Sequence, residues 1–131
     1  MYKRPNFSIL TPEEHQAQVA TITGRLDAYE IFDYLQSLML CYMRDTDDFE
    51  GMNYYCGITN GIQQNLMRHH VDEYVAIIKC HNLKTAKEAI QLLHDTFFLE
   101  LGDCDIYEYL KNENPYYAYI LWKGETNFVV K

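Results

Sequence analysis

The stretch that decides the fold is Met52-Asn-Tyr-Tyr-Cys-Gly-Ile-Thr-Asn-Gly-Ile-Gln-Gln-Asn-Leu-Met-Arg-His-His70. Its first half, residues 53–59, is rich in β-branched and aromatic residues and predicts a strand. Asn60-Gly61 is a strong turn signal, and the apolar residues after it recur at helical spacing. A strand that turns sharply into a helix directs side chains and helix-start N–H groups into one crevice, which often holds an anion. The stretch therefore predicts a strand–turn–helix unit with a candidate phosphate or anion site.

Length and charge bound the class of protein. A chain of 131 residues is most simply one domain, 1–131, that buries about two-thirds of its unfolded surface. Its formal net charge is -8, with 11 Lys+Arg against 19 Asp+Glu. This balance argues against tight non-specific binding to nucleic acid, because such binding depends on contacts between basic side chains and phosphates.

The acidic residues are concentrated in two runs, Asp45–Glu50 and Glu100–Glu113. Two interpretations stay open for such runs: solvated loops, or an acidic face for a basic partner. The 12 tyrosines suit surfaces that are half buried and half wet, and they hint at a binding face.

The sequence predicts a cytoplasmic protein that does not enter a membrane. Residues 1–10 are polar and do not resemble a signal peptide, and no apolar run approaches ~18 residues. The cysteines lack a C-x-x-C pair and are expected to be reduced thiols. A zinc site is the alternative for these cysteines together with three histidines: Cys41, Cys56, Cys80, Cys104, His69, His70 and His81.

The elements around the opening stretch predict an α+β (α/β) fold with a small mixed β-sheet flanked by helices. One helix begins at Thr11-Pro12, and a second begins at Asp27 with Glu30 as a capping box. The remaining predictions are a strand at Leu40–Met43 that forms a hairpin with Asn53–Ile58, a strand at Glu73–Cys80, a helix at Lys84–Leu101 ended by Gly102, a short helix at Asp105–Asn114, and a closing hairpin of Tyr116–Trp122 and Phe128–Lys131.

The order Leu40-Cys-Tyr42, loop, Tyr55-Cys-Gly-Ile-Thr-Asn60, helix with His69, strand and helix resembles the GIY-YIG nuclease domain. Tyr42 lies 13 positions before Tyr55, close to the spacing of that family. The resemblance implies a GIY-YIG-like core at 38–101, an N-terminal helical extension at 1–37 and a C-terminal hairpin extension at 102–131.

The resemblance also implies roles for individual residues. Tyr42 and Tyr55 match the two motif tyrosines, Gly57 matches the motif glycine, and His69 matches the helix histidine. In the family, a Glu holds a metal ion at the scissile phosphate, an Arg stabilises the developing charge, and a Tyr or His handles the proton of the attacking water. The ordinary alternatives are sheet packing for the tyrosines and helix C-capping for His69.

Two departures weaken the chemistry that the family would carry. Asn65 stands at the family's Arg position, and Ile90 stands at the position of its Glu. The loss of one preorganised electrostatic partner typically costs ~100–1000-fold in rate, and isoleucine cannot bind a metal. The leading interpretation is therefore a catalytically degenerate domain without a cofactor, acting as a small cytosolic binding or regulatory protein. Its cleft would be lined by Gly57, Thr59, Asn60 and Asn65.

Two alternatives remain. A divergent Mg- or Mn-dependent endonuclease would cleave a phosphodiester with Tyr42, Tyr55, His69 and Arg68, which lies about one turn after Asn65. An unrelated α+β interaction module is the other, and continuation of the second helix through Leu40–Met43 would indicate it. The expected partner is a basic protein that meets the acidic surface, with only weak binding to nucleic acid.

Overall fold

The computed structural model describes residues 27–110 and 115–124 as an α+β fold. The fold class predicted from the sequence is thereby confirmed. In chain order the elements are α1 (Ala28–Thr46), a 3-10 turn (Gly51–Asn53), β1 (Tyr54–Thr59), α2 (Ile62–His69), β2 (Ala76–Cys80), α3 (Leu83–Phe97), β3 (Glu100–Asp105), a second 3-10 turn (Glu108–Leu110) and β4 (Tyr116–Trp122).

The four described strands form one mixed sheet in the order β2-β4-β1-β3. Strand β1 pairs in parallel with β3, where Thr59 faces Asp105. It pairs antiparallel with β4, where Tyr54 faces Trp122 and Gly57 faces Tyr119. Strand β2 is antiparallel to the other side of β4. As a result β1 and β4 are the inner strands. The strand of the predicted strand–turn–helix unit is β1, and it lies between β4 and β3.

Helices cover both faces of the sheet, and each face has its own apolar cluster. Side chains from α1 and α3 pack on one face, together with Tyr54, Cys56 and Ile58 of β1. Side chains of α2 pack on the other face, which carries Tyr55 and Tyr119. Because successive strand residues point to opposite faces, all six residues of β1 are buried.

Local signals in the sequence account for the start of α1. The Asp27 carboxylate accepts a hydrogen bond from the Glu30 N–H at 2.8 Å, and the Glu30 carboxylate accepts one from the Asp27 N–H at 2.9 Å. This is the predicted capping box, and it satisfies two N–H groups that a helix leaves without partners at its first turn. No helix in residues 27–110 and 115–124 is long and apolar enough to cross a membrane.

The predicted strand at Leu40–Met43 is wrong, because α1 continues through it to Thr46. The buried stripe of the helix runs through Leu35 and Met39 to Met43, and no glycine or proline interrupts it. The predicted hairpin with Asn53–Ile58 is therefore absent from the described residues. Strand β1 pairs with β3 and β4 instead.

The predicted end of the fourth helix is also wrong. Helix α3 stops at Phe97, four residues before the predicted end, and Phe98 takes the left-handed conformation with φ of 61°. Gly102 lies inside β3, a strand that the sequence did not predict. The next predicted helix, at Asp105–Asn114, is a 3-10 turn at its centre, and residues 111–114 lie outside the described part.

The predicted division of the chain into a core with two extensions can be compared with the positions of the elements. Helix α1 crosses the boundary at 37/38, and β4 from the predicted extension 102–131 is an inner strand of the sheet. The helix predicted from Thr11 and the second strand of the closing hairpin, Phe128–Lys131, lie outside the described residues.

Candidate functional site

Tyr55 and His69 are adjacent in space, but they are enclosed. Their ring centroids lie 4.9 Å apart, and Tyr119 stacks on Tyr55 at 6.4 Å. Relative exposure is 1% for Tyr55 and 0% for His69. These rings belong to the apolar cluster between α2 and the sheet, so neither side chain faces a cleft that a polymer substrate could enter.

Asn65 is the centre of a buried polar network beneath α2. Its amide Nδ2 donates to the Asp105 carboxylate at 2.6 Å and to the Tyr119 hydroxyl at 3.1 Å. Its Oδ1 accepts from the Tyr74 hydroxyl at 2.9 Å. Burial raises the pKa of both Tyr74 and Tyr119 above the ordinary phenol value, so both hydroxyls stay protonated. An amide serves here because it can donate to a carboxylate and accept from a phenol at once.

Asp105, the last residue of β3, is the negatively charged member of this network. The carboxylate lies 2.9 Å from the Arg68 guanidinium, and the Tyr107 hydroxyl donates to it at 3.1 Å. Burial, followed by the charge of Asp105, raises the pKa of Tyr107 to about 12. The Asp105 carboxylate therefore already takes the hydrogen bond from Asn65 and the ion pair with Arg68 that a bound phosphate would need.

Thr59 and Asn60 close the same crevice from the turn between β1 and α2. The Thr59 hydroxyl accepts from the Gly61 N–H at 3.0 Å and donates to the Asp105 carbonyl at 2.9 Å. The Asn60 side chain accepts from the Tyr107 N–H at 2.7 Å and donates to the Tyr107 carbonyl at 3.0 Å. These two residues hold the segment after β3 against the turn, in the place expected for a ligand.

Two strand glycines are required because tyrosine rings lie directly on the backbone. A Cβ on Gly57 would come within 2.6 Å of the Tyr119 hydroxyl. A Cβ on Gly102 would collide with the ring and hydroxyl of Tyr55. Gly57 was predicted as a binding residue, and the space in front of it is filled by a side chain of the same chain.

Tyr42 does not join the other predicted catalytic residues. It lies in α1 and packs against Tyr54 and Trp122, with ring centroids 6.3 Å and 5.7 Å away. Tyr54 and Tyr55 point to opposite faces of β1, so Tyr42 is separated from Tyr55 by the sheet. Ile90, at the family's Glu position, is buried in the cluster on the Tyr42 side.

The described residues contain no group of three or more His, Cys, Asp or Glu side chains placed to hold a metal ion. Cys56 and Cys80, which were considered as zinc ligands, are buried in β1 and β2. Burial raises the pKa of each of these thiols to about 12, so at neutral pH they are protonated.

Sequence reasoning missed Asp105 as the partner of Arg68 and Asn65. The only signal was its place in an acidic run, 100–113, which was interpreted as a solvated loop or an acidic face. Asp105 enters the network because β3 pairs in parallel with β1 and ends beside Thr59. The sequence did not predict this pairing, so it gave no reason to place Asp105 beside Arg68 and Asn65.

Comparison of the chain with protein-family models, curated proteins and solved structures found no significant match. The geometry of the described residues therefore carries the functional argument.

Proposed function

We propose that this chain is a small, non-catalytic binding or regulatory protein of the cytosol whose partner is a basic protein. The observation that carries the proposal is the Arg68–Asp105 ion pair, since it engages within the chain the cation that the divergent-nuclease alternative would use. Relative side-chain exposure is 22% for Arg68 and 11% for Asp105, so the pair is largely shielded from screening by water.

The same geometry does not favour the endonuclease alternative. Arg68 would have to leave Asp105 before it could stabilise the charge on a phosphate, and Tyr42 lies across the sheet from Tyr55. Helix α1 also continues through Leu40–Met43, the outcome associated above with an unrelated interaction module. We therefore favour an α+β interaction module over a degenerate nuclease.

An exposed apolar surface offers a place for the partner. Phe49, Met52 and Phe98 have relative exposures of 63%, 56% and 67%, and together we call them the Phe98 patch. The turn that carries Met52 lies on the end of α3, because Gly51 contacts the backbone of Phe97 and Phe98. Large exposed apolar side chains on adjoining segments are common at protein-binding surfaces.

The conformation of Phe98 supports a role outside folding. It has a φ of 61° at the helix C-terminus, where glycine or asparagine is the usual residue. A bulky residue held in the left-handed region costs about 1–3 kcal/mol. With two-thirds of its surface exposed, the Phe98 side chain recovers little of this cost by packing. A partner that buries the ring would explain its presence.

Carboxylates beside the patch indicate the charge of the partner. Asp47 and Glu50 are exposed on the loop that carries Phe49, and neither makes an ion pair within the described residues. Asp48, between them, accepts hydrogen bonds from the Trp122 indole at 2.8 Å and the Asn53 amide at 3.1 Å. Asp47 and Glu50 are thus the acidic groups of this loop that suit a basic partner, while Asp48 is committed to the fold.

The first experiment separates binding from catalysis. Purified protein is incubated with plasmid, single-stranded DNA and RNA in the presence of Mg²⁺ or Mn²⁺. We expect no cleavage. Cleavage that disappears in Tyr55→Phe or His69→Ala protein would overturn the proposal.

The second experiment locates the partner surface. Immobilised protein is used to retain basic proteins at increasing salt, and the bound set is compared between wild type, Phe98→Gly and the Asp47→Asn/Glu50→Gln double variant. Phe98→Gly should fold at least as stably as wild type, yet bind about 30-fold more weakly, as for an interface residue worth ~2 kcal/mol.

The matched control is Glu88→Gln, which neutralises an exposed carboxylate on α3 ten residues before Phe98, about 15 Å along the helix. It should retain the wild-type set of proteins. Equal recovery by wild type, Phe98→Gly and the double variant would contradict the proposed surface.

A further inference from the structure

A cavity of about 440 Å³ opens at the end of the sheet where β1 begins and β4 ends. It is lined by Tyr42 and Trp122 on one side and by the segment that leads into β2, residues 71–75, on the other. Its size lies within the range of about 300–1,000 Å³ typical of ligand sites. None of the functions considered above uses it, although it contains the predicted catalytic residue Tyr42.

The aromatic wall of this cavity is held in place by fixed contacts. Tyr42 and Trp122 meet edge to face, with centroids 5.7 Å apart and planes inclined by 62°. The Trp122 indole N–H donates to Asp48 at 2.8 Å, and Tyr42 packs on Tyr54 at 86°. Rings that are oriented before a ligand arrives present their π-systems at little entropic cost.

Two acidic residues line the cavity. Asp72 and Glu73 are exposed and contribute two carboxylates to its lining. Lys123 also lines it, but its ammonium group pairs with Glu100, so that pair adds no net charge. The cavity therefore combines aromatic rings with acidic side chains.

We propose that this cavity binds a cationic side chain, the guanidinium of arginine or the ammonium of lysine, from the basic partner. A cation within about 6 Å of an indole or phenol ring is attracted by the ring's quadrupole, and carboxylates at the same site add direct charge attraction. The aliphatic stem of either side chain matches the apolar part of the lining, which includes Val71 and Val75.

The cavity and the Phe98 patch are joined by one loop. Asp48 of this loop bonds Trp122 in the cavity, and Asn53 accepts a hydrogen bond from the Lys123 N–H at 2.9 Å. Phe49 and Met52 of the patch lie between these two anchor points in the chain. A partner segment with an apolar residue and a neighbouring cation would fill both sites. The inference rests on the proposed function for the identity of this partner.

The experiment uses Trp122 as the reporter, because it is the only tryptophan of the chain. N-acetyl-arginine amide is titrated into the 131-residue protein while tryptophan fluorescence is recorded, with N-acetyl-citrulline amide as the neutral compound of the same shape. We expect a saturable change with a midpoint of about 1–10 mM for the arginine compound, in the range of a single side-chain contact, and no change for citrulline.

Variants test the two components of the site. Asp72→Asn with Glu73→Gln should raise the midpoint about fivefold or more, as expected for two exposed charge pairs. Tyr42→Leu should raise it about threefold by removing one aromatic wall. Asp47→Asn with Glu50→Gln, which neutralises the same number of charges at the Phe98 patch, should leave the midpoint within about twofold.

Three results would overturn the inference: a response to citrulline equal to that of arginine, a response that does not saturate, or a midpoint unchanged by the Asp72/Glu73 variant. A chemical-shift titration of the Trp122 indole N–H in each variant shows whether the fold and the site survive the substitution. Failure of this titration leaves the nuclease and retention experiments unaffected. Cleavage of nucleic acid would overturn the proposed function without affecting the titration.

Discussion

Replacing Asp105 with asparagine should destabilise the fold and, at the same time, remove the negative charge that faces Arg68. The carboxylate accepts hydrogen bonds from Asn65 at 2.6 Å and Tyr107 at 3.1 Å and pairs with Arg68 at 2.9 Å. Asparagine has nearly the same volume and keeps one acceptor oxygen, so the change removes the charge without creating a cavity.

The expected loss of stability follows from these contacts. A hydrogen bond to a charged group is worth about 1.5–3 kcal/mol, and asparagine retains part of the network through its oxygen. Arg68 remains partly solvated, which limits the cost of leaving its charge without Asp105. We expect Asp105→Asn to lower the free energy of unfolding by about 2–3 kcal/mol and the Tm by about 6–12 °C.

Urea unfolding followed by Trp122 fluorescence measures this loss. A double-mutant cycle with Arg68→Gln should give a coupling energy of about 1 kcal/mol or more, because the two side chains are in direct contact. A loss below about 0.5 kcal/mol, or no coupling, would refute the view that the carboxylate organises this network.

The second part of the prediction concerns phosphate. In Asp105→Asn protein, the Arg68 guanidinium, whose side chain is 22% exposed, no longer faces the charge of Asp105, so inorganic phosphate should bind at its exposed edge and stabilise the variant. At ten times its Kd a ligand adds about 1.4 kcal/mol, or a few degrees in Tm, relative to chloride of the same ionic strength. Wild type and the Asp105→Asn/Arg68→Gln protein should not respond, and an equal response of wild type would contradict a filled site.

Three further predictions concern packing, acid stability and thiol reactivity. Gly57→Ala should lower the free energy of unfolding by about 1–3 kcal/mol in urea, because its Cβ would meet the Tyr119 hydroxyl at 2.6 Å; an unchanged midpoint would contradict this packing. Burial opposes ionisation of Asp48, but hydrogen bonds from Trp122, Asn53 and the Glu50 N–H prevail and lower its pKa. Asp48 therefore stabilises the fold above its unfolded pKa. This contribution is lost as the pH falls through the lowered folded-state pKa. Tm measured from pH 7 to pH 2 should therefore fall less steeply below about pH 4 in Asp48→Asn than in wild type, and parallel curves would argue against it. Cys104, which is exposed, should react with a disulfide reagent at pH 8 while the two buried strand thiols react only on unfolding, and Cys104→Ser should remove the fast phase.

The elements that the sequence predicted correctly are those specified by neighbouring residues. The capping box of Asp27 and Glu30, the strand before Asn60-Gly61 and the helix after it all depend on contacts within a few positions. Such signals act in the unfolded chain as well as in the folded one, which is why they can be recognised without knowing the fold.

The elements that the sequence did not predict depend on distant pairing. Leu40–Met43 is apolar enough for a buried strand or a helix, and only the continuous buried stripe of α1 against α3 favours the helix. Strand β3 contains Glu100, Gly102 and Asp105, which are weak strand formers, and it exists because β1 offers it a parallel partner. The candidate site followed the same rule: its helix residues were found, whereas the carboxylate that fills it was not.

The position of β4 in the sheet limits the order in which the protein can fold. Strands β1 and β2 do not touch each other and are joined only through β4, which follows both of them in the chain by more than thirty residues. A nascent chain therefore cannot assemble this sheet until residue 122 has left the ribosome, and until then the edges of β1 and β2 that pair with β4 have no partner. Translation that pauses before β4 would leave two aggregation-prone strands exposed, so we expect ribosome-bound chains cut short at about residue 115 to recruit chaperones that the finished protein does not need.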